Sequence, residues 1–111
     1  MREQQARIKG DRERREMMEE KLKTIAEYYG LESQLRQLAE ECSELAVEAN
    51  HSARRGSVTV RLIEEIADVE IMIDQIRYLA GIQESDVLET RFYKIERQLK
   101  RMKQETSDED M

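Results

Sequence analysis

The chain contains no proline, no tryptophan, one cysteine, one histidine and four glycines in 111 residues. With no proline to interrupt them, long helices are the natural reading of the sequence. A single cysteine cannot form an internal disulfide, and Cys42 falls on an apolar stripe with Leu38 and Leu45, where a small core residue is expected rather than a nucleophile. Neither a glycine-rich phosphate loop nor a Ser/His/Asp or Cys/His arrangement is present. The lone histidine, His51, stands seven residues after Glu44 and lacks the Glu-x-x-His spacing of a di-iron bundle, so it is expected at the surface or beside a substrate rather than on a metal. No apolar run approaches the roughly 18 residues of a membrane span. The start, Met1-Arg2-Glu3-Gln4-Gln5, lacks the apolar core of a signal peptide, and a cytoplasmic location is expected. A net charge of −6 and a pI near 5.0 argue against nucleic acid as a partner, because a phosphate backbone requires a basic face.

What the chain does have is charge and helical periodicity. Charged residues make up 40% of it, and the mean hydropathy is −0.83, yet its apolar residues fall in stripes spaced by threes and fours. The stripes are Met18, Leu22, Ile25 and Tyr29; then Leu35, Leu38, Cys42, Leu45 and Ala49; then Leu62, Ile66, Val69, Ile73, Ile76 and Ala80; then Leu88, Phe92, Ile95, Leu99 and Met102. Gly30, Gly56 and Gly81 separate them, with Ser57 and Ser85 as expected N-caps for the third and fourth helices. The expected fold is therefore all-α, a bundle of four main helices over residues 17–105. It is preceded by a charged, frayed or disordered arm (1–16) and followed by an acidic, disordered tail (106–111). A domain this small buries only about 60–65% of the surface its unfolded chain exposes, so completion by self-association, as a dimer or tetramer, is expected.

Two acidic signatures carry the chemistry: Glu41-Cys42-Ser43-Glu44 on the second helix and Glu65-Ile66-Ala67-Asp68 on the third. Each puts two carboxylates on one helix face. At about 100° per residue they flank the apolar stripes, so packing the stripes together would line one cleft with all four acids. Anions gathered at the edge of a dry core need a cation, and oxygen ligands without Cys or His suit Mg²⁺, or Mn²⁺, rather than zinc. Mg²⁺ commonly recruits substrate phosphates, so the cluster reads as a phosphate-handling site.

The run Glu40-Glu41-Cys42-Ser43-Glu44, some twenty residues, then Glu65-Ile66-Ala67-Asp68 resembles the signature of the MazG-like all-α nucleoside triphosphate pyrophosphohydrolases, a group that includes dimeric dUTPases and phosphoribosyl-ATP pyrophosphatases. The likeness extends from Tyr29-Gly30, through Gln34 and Gln37, to Lys94-Ile95-Glu96-Arg97. It implies Mg²⁺ on Glu41, Glu44, Glu65 and Asp68, and a triphosphate held by Lys94 and Arg97. Family members often carry a Lys after the first signature, where this chain reads Asn50-His51-Ser52-Ala53-Arg54, and an Asn before the later Lys, where it has Phe92-Tyr93. The expected reaction is attack of a metal-activated water on the α-phosphorus of an NTP or dNTP, giving monophosphate and pyrophosphate, with Glu44 as general base and Gln37 as a substrate contact. A non-catalytic helical binding or regulatory protein, and a sibling enzyme acting on phosphoribosyl-ATP, remain open alternatives.

Overall fold

The structure, a computed structural model, describes residues 1–109. It is all-α, with four helices and no strand among the described residues: α1 (Arg2–Tyr29), α2 (Leu31–Arg55), α3 (Val60–Ala80) and α4 (Glu84–Glu109). No helix among them is long and apolar enough to cross a membrane. The chain divides into a three-helix unit, Met1–Gly81, and a second unit, from Ile82 onward, built on α4.

In the first unit α2 packs chiefly against α3, and α1 packs mainly on α3. One residue joins α1 to α2: Gly30, at φ 84 and ψ 167, is C-cap of the first helix and N-cap of the second. That backbone region is essentially open to glycine alone. Gly56, in the left-handed region, ends α2 and returns its N–H to Ser52 O at 2.9 Å. Thr59, not Ser57, caps α3, its Oγ1 accepting from the N–H of Leu62 at 3.1 Å. α4 likewise starts at Glu84, which puts Ser85 inside the first turn rather than at the cap.

The ends differ from the expected arm and tail. Residues 2–16 continue α1, and α4 runs on to Glu109; the last two residues of the expected tail lie outside the described set. Residues 2–16 are all exposed, so burial does not hold this part of the helix. Arg, Glu, Gln and Lys are good helix formers, and Lys9 and Glu13 pair one turn apart at 3.9 Å.

The core is thin. Its buried apolar side chains are Ala26 of α1 and Val69, Met72 and Ile76 of α3. Buried polar residues, Gln34, Glu48, Ser52 and Gln75, match them in number. α1 touches its neighbours through Ala26, and Glu27 accepts a hydrogen bond from the Tyr78 hydroxyl while Lys23 lies 5.5 Å from the same ring. Met18, Ile25 and Tyr29, expected inside, are exposed, and the rings of Tyr28 and Tyr29 pack edge-on against each other at 4.9 Å.

Candidate metal centre

The helices α2 and α3 meet along a seam turned by about half a residue from the apolar stripes. On α2 the positions shielded from solvent include Gln34, Leu38, Glu41, Leu45, Glu48 and Ser52, with Gln37 beside them. On α3 they include Leu62, Glu65, Val69, Met72, Ile76 and Leu79. Both series alternate threes and fours, the spacing that keeps one line of a helix against a partner. Cys42 and Ala49 are consequently exposed, as is Ile66, and the reading of Cys42 as a core residue is corrected. Glu41 and Glu65 do not flank the seam. They lie in it.

Three hydrogen-bonded groups follow one another along the seam. At one end Gln34 Nε2 donates to Gln75 Oε1 at 2.5 Å, joining the two helices through buried amides. At the other end Glu48 accepts from Thr59 Oγ1 at 3.4 Å, the Thr59 N–H reaches Ser52 Oγ at 3.3 Å, and His51 Nδ1 lies 3.7 Å from Glu48. This second group is missing from the site read off the sequence, although Gln34, Glu41 and Glu48 repeat every seven residues, as do Leu38, Leu45 and Ser52. His51 is exposed and beside Glu48, away from the three central carboxylates.

Between these ends stand Glu41 and Glu44 of α2 and Glu65 of α3. One carboxylate oxygen of each lies within 4.8 Å of the other two. Gln37 Nε2 donates to Glu41 Oε1 at 2.8 Å, so Gln37 orients a carboxylate of the cluster. With the acids ionised, Oε2 of Glu41 and Oε2 of Glu65 are buried with no hydrogen-bond partner among the described residues. Asp68 is exposed and outside the three-carboxylate group, though close enough for its charge to act on Glu65. Lys94 and Arg97 belong to the second unit, where both are exposed and Arg97 lies 5.8 Å from the ring of Tyr93.

Burial raises the Glu65 carboxyl above its ordinary range, and the charges of Glu44, Asp68 and Glu41 raise it further, as does a hydrogen bond with Glu44. An acid whose pKa is higher in the folded chain binds its proton more tightly there than when unfolded. Its contribution to stability is therefore full below the usual carboxyl range and is lost as pH rises through the raised value. Glu65→Gln removes that dependence. Without divalent ions, the variant is expected to gain melting temperature relative to the wild type as pH goes from about 4 to about 8. Parallel melting curves for the two proteins would show that this carboxyl is unstrained.

The donor set fits a hard divalent cation, being all carboxylate oxygen, drawn from two helices, with two buried oxygens unpartnered. The chain matches no family model, no curated protein and no solved structure.

Proposed function

We propose that the chain is a Mg²⁺-dependent nucleoside triphosphate pyrophosphohydrolase. The observation that carries this reading is the convergence of Glu41, Glu44 and Glu65 with two buried, unpartnered carboxylate oxygens, since such oxygens require either a shared proton or a cation. The spacing of the two acidic signatures, with its resemblance to the MazG-like enzymes, supports the choice of substrate class. Glu41, Glu44 and Glu65 would hold the ion, with Asp68 at the rim. Bound there, Mg²⁺ supplies an acidified water and neutralises phosphate charge.

The chain's own groups have distinct roles in this reading. Gln37 fixes the carboxylate plane of Glu41 through its 2.8 Å hydrogen bond. Glu44, the most exposed of the three, is the general base: it takes the proton of the attacking water as the new bond to the α-phosphorus forms. The bond between the α-phosphorus and the bridging oxygen breaks, and pyrophosphate leaves. Lys94 and Arg97 match the positions that hold the triphosphate in the MazG-like signature the chain resembles.

A pyrophosphate-release screen across ribo- and deoxynucleoside triphosphates, with and without Mg²⁺, tests the reading. Metal-dependent release of pyrophosphate, with no orthophosphate formed directly, is the expected result. Turnover of phosphoribosyl-ATP alone would reassign the substrate. No turnover of either class, with no rise in melting temperature on adding Mg²⁺, would make the cluster a structural feature of the seam.

A further inference from the structure

The second unit presents an apolar line with a regular period. Leu88, Phe92, Ile95, Leu99 and Met102 are exposed along α4, Phe92 at 68% and Leu88 at 63%, and their spacings of four, three, four and three make an unbroken heptad stripe. Scattered exposed apolar residues are ordinary, but five in register on one helix form a seam that needs a partner.

We propose that α4 pairs with α4 of a second copy of this chain, antiparallel, the two crossing near Arg97. This inference is independent of the catalytic reading. In heptad terms Phe92 and Leu99 take position a, and Leu88, Ile95 and Met102 take position d. The flanking e positions are then Glu89, Glu96 and Lys103, and the g positions are Glu84, Arg91, Gln98 and Glu105. An antiparallel pair related by a two-fold axis sets e against e and g against g in reverse order. Phe92 then packs with Met102 of the second copy, and Ile95 with Leu99. Glu89 faces Lys103 twice, Arg91 faces Glu105 twice, Gln98 meets itself, and only Glu96 meets a like charge.

The parallel alternative pairs each g position with the e position five residues on. It gains Arg91 with Glu96 twice but sets Glu84 against Glu89 twice, and gains nothing at Gln98 and Lys103. The charge pattern thus selects one direction. The crossing point also falls at the middle of α4, Glu84–Glu109, so the antiparallel helices overlap along their whole length.

Sedimentation equilibrium of the full chain, over a range of concentrations, tests this with surface substitutions that leave the apolar line intact. The wild type is expected to dimerise reversibly and more weakly at high salt. Glu89→Lys should raise the dissociation constant roughly tenfold, because two attractive contacts become repulsive, and Lys103→Glu should do the same. Combining the two should restore wild-type affinity. Tighter association on Glu89→Lys would overturn the antiparallel direction, since that change relieves Glu84 in a parallel pair. A monomer at every concentration, in wild type and variants alike, would overturn the proposal.

Discussion

Glu41→Gln is expected to lower pyrophosphate release by roughly 10²- to 10³-fold or more, the scale on which removing one group that stabilises a transition state is felt. Glu41 has one oxygen held by Gln37 and the other buried without a partner, so it is the carboxylate best fixed for an ion. The amide of Gln keeps the size and keeps an acceptor for Gln37, but it removes the charge. Asp68→Asn should cost less, on the order of 10- to 100-fold, because Asp68 is exposed and stands outside the three converging oxygens, where it acts on them at one remove. Steady-state kinetics with Mg²⁺ near saturation separates the two positions. Equal losses at Glu41 and Asp68 would return the site to four equivalent ligands, and wild-type turnover in Glu41→Gln would remove the cluster from the chemistry altogether.

That difference between Glu41 and Asp68 shows how far the sequence could be read. Helix number and the ends at Gly30, Gly56 and Gly81 were legible because threes and fours, with a glycine after each of the first three helices, have few alternative meanings. The phase of the helices was harder. Assigning apolar residues to the inside and acids to the flank is sound when a helix has only one stripe, but α2 alternates leucine with polar residues along its buried line. Gln34, Glu41 and Glu48 are turned inward because partners across the seam receive some of them: Gln75 takes Gln34, and Thr59 takes Glu48. Only Glu41 lacks such a partner from α3, and it is there that the acids meet Glu65. Cys42 and Ile66 looked like core residues for the same reason that Glu41 and Glu65 looked like flank.

The ends of the chain are helical for a different cause. A helix with no face to bury is a poor inference from periodicity, because periodicity reports packing. Residues 2–16 rest on propensity and on pairs such as Lys9 with Glu13, which leave no apolar trace in the sequence. The α4 stripe is the opposite case. It was fully legible as a line, and the proposed antiparallel pairing rests on Glu89, Arg91, Lys103 and Glu105 beside it.

Met72→Ala is expected to cost about 2–5 kcal/mol of folding stability, the range for truncating a buried Met, Leu or Ile to Ala. Total stabilities of about 5–15 kcal/mol are usual, so the loss is a large share of what holds the chain together. It should be large here because the buried apolar set is small: among the described residues Ala26, Val69, Met72 and Ile76 are its members, so few fully buried neighbours can close over the space that Met72 leaves. Polar neighbours such as Gln75 cannot fill it without breaking the amide pair with Gln34. Ile63→Ala, on the same helix but 61% exposed, should shift stability by no more than about 0.5 kcal/mol. Urea denaturation of both variants, at a protein concentration low enough to keep the chain monomeric, makes the comparison. A Met72→Ala loss no larger than that of Ile63→Ala would mean that the α2–α3 seam does not hold the core. A large loss in both would mean that the outer face of α3, bearing Ile63 and Ile71, is covered as well, and that the apolar core extends to both sides of this helix.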